Sequence, residues 1–135
     1  MCVRSGALYV PAMRRAPRLS LGLVLDCQDP KRQAEFWAGA LGYTRLGGVE
    51  NYEMLLPPDT EPGLPKLLLQ KVPEGKTVKN RMHLDIDDVE DIEAEATRLE
   101  GLGATRVEAL EEHGTGWIIM NDPEGNEFCV CRGVG

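Results

Sequence analysis

Near the C-terminal end, the stretch DPEGNEFCVC (Asp122–Cys131) sets a carboxylate and two thiols at every second position. In an extended strand Glu127, Cys129 and Cys131 share one face, and Phe128 and Val130 take the other. Such a row offers three chemistries: metal ligation, an activated nucleophile, or small side chains lining a pocket. A second cluster, KTVKNRMHLD, brings Lys76, Lys79 and Arg81 close in sequence to His83 and Asp85. Imidazole titrates near neutrality, so His83 is a candidate acid/base, substrate contact or metal ligand. Arg81 suits bidentate contact with a carboxylate or phosphate; bracing of the chain by Asn80 and Arg81 is the equal alternative. Glu127 reads as a general base whose pKa a cleft would raise, or as a rim carboxylate answering Arg81 or Lys79. Cys129 reads more readily as a packing residue than as a nucleophile, since His83 is its one candidate base.

The composition bounds what these groups serve. A chain of 135 residues, 42% hydrophobic and 27% charged, suits one compact domain. A net charge of −7 argues against general nucleic-acid binding, and after Arg18 the chain carries 11 basic against 22 acidic side chains. An anionic substrate therefore needs a local Arg or Lys. With no long apolar run and no apolar leader, the expectation is a cytoplasmic protein without a membrane partner. Cys2, Cys27, Cys129 and Cys131 are read as reduced thiols, not as a disulfide framework. Residues 1–18 are expected to be a disordered or irregular basic extension, with Met13 as an alternative start.

The elements that must position the chemistry repeat. LSLGLVLD alternates as a half-buried strand. DPKRQAEFWAGALG follows as a helix, with Asp29 as N-cap, Pro30 in the first turn and Gly42 at the stop. YEMLL and KLLLQKV are further strands. The order returns with RMHLDI, the amphipathic helix DDVEDIEAEATRLEGLG, then TRVEAL, GWIIM and EFCVC. This implies an α+β fold of two strand–helix–strand–strand–strand modules, about 19–75 and 76–132, forming one domain over 19–135 with a shared cleft. Strand parity, with residue 118 opposite 129 across an unbulged hairpin, assigns the faces. Leu19, Leu21, Leu23, Leu25, Met82, Leu84, Ile86, Trp117, Ile119, Phe128 and Val130 are expected in the core. Arg81, His83, Asp85, Ile118, Met120, Glu127 and Cys129 are expected at the cleft.

DCQDPKRQAEFWAGALGY, KNRMHLDI and LGAT…GWIIMNDPEGNEFCV, in this order, resemble the glyoxalase-like members of the vicinal-oxygen-chelate superfamily, the glyoxalase/bleomycin-resistance group, over about Leu19 to Arg132. The resemblance implies two βαβββ modules in an eight-stranded open barrel-like sheet with outer helices, and often a homodimer. Metal-using relatives place one ligand on the first and one on the last strand of each module. Those positions fall at Gly22, at Leu68 or Gln70, at His83, and at Cys129, with Glu127 two residues early. The expectation is thus a small-molecule-binding protein without the usual full metal centre. A lyase- or isomerase-type enzyme would use His83 and Glu127 as catalytic residues, with Arg81, Asp85, Cys129, Ile118, Met120 and Gln70 as substrate contacts. The alternatives are a bleomycin-resistance-like protein that sequesters a drug or metabolite, and a metal-dependent lyase or dioxygenase. The latter uses His83 with Zn, Ni, Mn or Fe, and is the disfavoured cofactor assignment.

Overall fold

The structure is a computed structural model describing residues 19–133; the extension expected over 1–18 lies outside them. Two four-stranded sheets follow one plan. In the first, β1 (Gly22–Cys27), β2 (Thr44–Val49), β3 (Tyr52–Leu56) and β4 (Lys66–Lys71) lie in the order β1-β4-β3-β2, with helix α1 (Pro30–Leu41) after β1. In the second, β5 (Leu84–Val89), β6 (Thr105–Glu112), β7 (Thr115–Asn121) and β8 (Glu127–Arg132) lie in the order β5-β8-β7-β6, with helix α2 (Ile92–Leu102) after β5. In each module the first and last strands pair parallel and the other neighbours antiparallel. The expected α+β duplication is thus present, as two separate sheets flanking a cleft.

The first helix forms as its sequence dictates. The Asp29 side chain accepts from the Arg32 N–H, Pro30 opens the first turn, and Gly42 ends the helix in the left-handed region (φ 71°). The second helix starts later than expected. Its N-cap is Asp91, whose side chain accepts from the Ala94 N–H, and Val89 ends β5 instead of opening the helix. Asp87 and Asp88 therefore do not serve its N-terminus. The first strand also begins later than the Leu19–Asp26 alternation suggests, and Leu19, Leu21 and Met82, expected in the core, are exposed. The segment TRLGGV, exposed along its whole length, is β2.

The modules share one core. Leu23, Leu25, Leu55, Leu67 and Leu69 of the first sheet face the same interior as Phe36 and Trp37 of α1, and Ile118, Met120, Phe128 and Val130 of the second sheet join them. Trp37 meets Phe36 and Phe128 edge-on, at ring-centroid distances of 5.1 and 5.2 Å. Polar contacts tie the halves too. Arg98 on α2 donates to the carbonyls of Gly39 and Ala40 at the end of α1, both at 3.0 Å. The hydrogen bonds to Glu95, which hold the Glu95 carboxyl below its usual range, keep Arg98 in place.

The turn between β7 and β8 sets the register of the second sheet, and here the face assignment is corrected. The Asp122 Oδ1 accepts from the backbone N–H groups of Glu124 and Asn126, and Gly125 adopts φ 92°. This closes a five-residue turn, with Asn121 opposite Glu127 and Ile118 opposite Val130. A one-residue slip in pairing exchanges the faces of a whole strand. Ile118 and Met120, expected at the cleft, are core residues at 1% and 0% exposure. Trp117 and Ile119, expected in the core, stand instead on the open face with Cys131 and Cys129.

Candidate functional site

A cavity of about 360 Å³ lies between the edge strands of the two sheets. Its floor is apolar, made of Leu23, Leu25, Leu67, Trp37 and Leu84, while Arg81, His83 and Glu127 stand at its polar side. Arg81 and His83 do not sit within a strand; they occupy the bend that feeds β5, which begins only at Leu84. Hydrogen bonds to the start of β8 hold that bend. Asn80 donates its backbone N–H to Glu127 Oε1 at 2.9 Å and its side-chain amide to Asn126 Oδ1 at 3.0 Å. In return the Glu127 N–H donates to Asn80 Oδ1 at 3.3 Å. Asn80 thus braces the linker. Arg81 makes no ion pair among the described residues and extends into solvent at the cavity.

Glu127 is committed elsewhere than to chemistry as a base. Lys76 Nζ donates to its Oε2 at 2.9 Å. That ammonium and the Asn80 N–H stabilise the ionised form, pulling the Glu127 pKa down to about 2. The sequence expectation of a raised value is reversed, and the rim partner is Lys76, not Arg81 or Lys79. His83 Nε2 lies 3.2 Å from Asp85 Oδ1, so Asp85 is placed to orient the ring.

The open face of the second sheet is a separate surface. Asp85 stands opposite Cys129 in the parallel β5–β8 register, and Cys131 opposite Trp117. Asp85 and Cys129 do not line the 360 Å³ cavity, so the single cleft expected from sequence divides into a seam cavity and this face, with His83 adjoining both. Cys27, Cys129 and Cys131 are free thiols. Burial and, next, nearby carboxylates raise their pKa values, to about 12 for Cys27 and Cys131. A thiol so disposed is protonated at neutral pH and a weak nucleophile. Gln70 lies on the first sheet, opposite Asp26 and Tyr52, away from both features.

These positions test a metal centre that draws ligands from both modules. Gly22 offers no side chain, and its neighbour across the ladder is Lys66. Glu127 is held by Lys76 and Asn80, and Gln70 sits among Asp26 and Tyr52. The residues do not fit such a centre. Two groups with metal-ligand atoms within 4.8 Å of one another do occur, both in module two: His83, Asp85 and Cys129, and Asp85, Asp87 and Cys131.

Sequence reasoning missed the cavity floor, Lys76 as the partner of Glu127, and Trp117 on the open face. The last was within reach, because an Asp-initiated turn with a left-handed glycine spans five residues in DPEGN.

Comparison with known proteins agrees with this fold. The fosfomycin resistance protein FosX from Mesorhizobium loti superposes with a TM-score of 0.66 at 15% identity, covering 89% of this chain and 95% of that one. A variant of FosX from Listeria monocytogenes, complexed with Mn(II) and 1S,2S-dihydroxypropylphosphonic acid, gives 0.66 at 11% identity, covering 89% and 93%. The bleomycin-binding protein from Streptomyces verticillus, complexed with copper(II)-bleomycin, gives 0.59 at 17% identity, covering 88% and 99%. Among curated proteins none matches the chain in sequence. The family model described as a glyoxalase-like domain matches residues 22–131. With both modules inside that match and the two-sheet architecture shared, the chain belongs to the glyoxalase-like domain family of the vicinal-oxygen-chelate superfamily.

Proposed function

We propose that the protein binds a small, partly apolar molecule with an anionic group in the seam cavity and converts it by proton transfer, as a lyase or isomerase. The observation that carries this reading is Arg81, without an ion pair among the described residues, beside His83 over an apolar floor. A cavity of about 360 Å³ lies within the usual range for small-ligand sites. Arg81 fixes the anionic group. His83 exchanges the proton: with Nε2 turned toward Asp85, Nδ1 is left as acceptor. Glu127 positions the Asn80–His83 segment and takes no proton itself. The phosphonate bound by the FosX variant supports an anionic ligand class. The bleomycin-binding neighbour supports the second reading, sequestration without chemistry. The acidic body and the absence of any described helix long and apolar enough to cross a membrane suit a cytoplasmic protein that binds neither nucleic acid nor lipid. Exposed Leu21, Val24 and Met82 suit a homodimer.

The test is calorimetric titration and thermal shift with small carboxylates, phosphonates and antibiotics, each mixture then followed by NMR. Arg81→Ala is expected to weaken binding of the anion by about tenfold or more. His83→Ala is expected to keep binding and lose turnover. A ligand that binds and stays unchanged on long incubation selects sequestration, and indifference of every ligand to Arg81→Ala sinks the anion clamp.

A further inference from the structure

A second cavity, of about 470 Å³, adjoins the seam cavity, and Leu25, Asn80 and Asn126 line both. The two follow β1 in order, the seam cavity along Leu23 to Leu25 and the second along Leu25 to Cys27. β1 is an outer strand of its sheet, with β4 on one edge only. Cys27 offers its carbonyl to the Val72 N–H on the β4 side, whereas the Gln28 N–H turns the other way, to Glu124. Backbone alternation therefore aims the N–H and C=O of Val24 and Asp26 away from β4, at an edge with which no described strand pairs. The groove along that edge differs in charge at its ends. Arg81 borders the seam cavity; Asp26 and Glu74 border the second, and none of the three forms an ion pair among the described residues. At the second cavity Lys76 is held by Glu127, and Glu124 by the amides of Gln28 and Asp29. Two carboxylates are left there against one ammonium, that of Lys79.

We propose that this groove binds a free, α-linked tripeptide, laid as an extra strand along the unpaired edge of β1. The proposal rests on the seam-cavity reading above and names its ligand class. β1 runs from the Arg81 end of the groove to the Asp26 end, so a peptide with its carboxylate at Arg81 and its ammonium at Asp26 and Glu74 lies antiparallel to it. In that register the last residue stands opposite Val24 and the first opposite Asp26. The last peptide N–H donates to the Val24 carbonyl, and the Val24 N–H meets one carboxylate oxygen while Arg81 takes the other. The first carbonyl of the peptide accepts from the Asp26 N–H. Main-chain bonds of this kind supply affinity, and pockets for alternate side chains supply selectivity. The middle side chain points the same way as Leu25, into the core side, where the apolar floor of Leu23, Leu67 and Trp37 receives it. An α-linked chain repeats at about 3.3 Å per residue, as β1 does, so a longer link between its amides breaks the register.

The test is calorimetric titration of the full chain with the tripeptide Ala-Leu-Ala and three analogues: the C-terminal amide, the N-acetyl form, and the form methylated on its last amide nitrogen. The expected result is one peptide per chain, with each analogue weaker by about tenfold or more. Arg81→Ala is expected to erase the preference for a free carboxylate, and Asp26→Asn to reduce the preference for a free amine. Amide exchange followed by NMR reads the strand directly, since bound peptide should slow the N–H groups of Val24 and Asp26. Absence of tripeptide binding, equal affinity for the methylated form, or unchanged exchange at Val24 and Asp26 overturns the proposal. Simple carboxylates or phosphonates that bind through Arg81 while the tripeptide does not would overturn the peptide class and leave the seam-cavity reading standing. Indifference of every ligand to Arg81→Ala sinks both.

Discussion

Glu127 shows how a side chain with the right type for catalysis is claimed by its surroundings. Its ion pair with Lys76 is largely shielded, with side-chain exposures of 23% and 18%. The folded pKa, about 2, lies below the 4.5 of an unperturbed glutamate, so the unfolded chain binds the proton first. Its stabilisation is complete above about pH 4.5 and is lost as pH falls toward 2. Glu127→Gln is therefore expected to cost about 1 kcal/mol at pH 7, measured by urea denaturation. The difference from wild type should shrink across that acid window; a constant difference would show that the carboxylate charge is not what counts. Sequence could place Glu127 and His83 at one end of the module. It could not show which cation takes Glu127, since Lys76, Lys79 and Arg81 are equivalent until the linker is folded.

At the scale of elements, the β7–β8 turn ties the two halves through buried polar contacts. Asp122, 3% exposed, accepts through Oδ2 from Gln33 Nε2 at 2.8 Å, Trp37 Nε1 at 3.0 Å and Asn126 Nδ2 at 2.9 Å. Removing the acceptor strands several buried donors, each worth about 1–3 kcal/mol. Asp122→Ala is expected to lower stability by about 3 kcal/mol or more, read as a fall in the urea midpoint with unchanged m-value. A loss under 1 kcal/mol would mean water replaces the carboxylate. The elements with one strong period or cap were legible: α1 from Asp29, Pro30 and Gly42, and β8 from its alternation. β2 was not, because Thr44–Val49 buries nothing and holds Gly47 and Gly48. Glycine there has a steric cause, for a Cβ on Gly48 would lie 1.9 Å from the Tyr52 carbonyl oxygen. The faces of β7 were misassigned because pairing parity depends on a turn fixed by Asp122.

For the whole molecule, the duplicated plan was legible in the sequence, but which side chains meet across the modules was not, since contacts between modules carry no period. Phe128 of the second sheet lies 6.0 Å from Phe36 and 5.2 Å from Trp37, ring centre to ring centre. Phe128→Ala is expected to cost about 3–5 kcal/mol and to unfold both modules in one transition, followed by tryptophan fluorescence and far-ultraviolet circular dichroism together. Two separated transitions would mean that each sheet is stable alone.

The Glu124 carboxylate accepts from the backbone N–H groups of Gln28 and Asp29, both at 2.8 Å, just before α1. Those partners are 96 and 95 positions apart in the chain. Seen from the ribosome, the first helix is made early and secured late. Its entry amides stay without that partner until the β7–β8 turn has left the exit tunnel. Fixing the entry of the first helix therefore requires closing a loop of about a hundred residues, a contact of high sequence separation that forms late in folding if it forms in chain order.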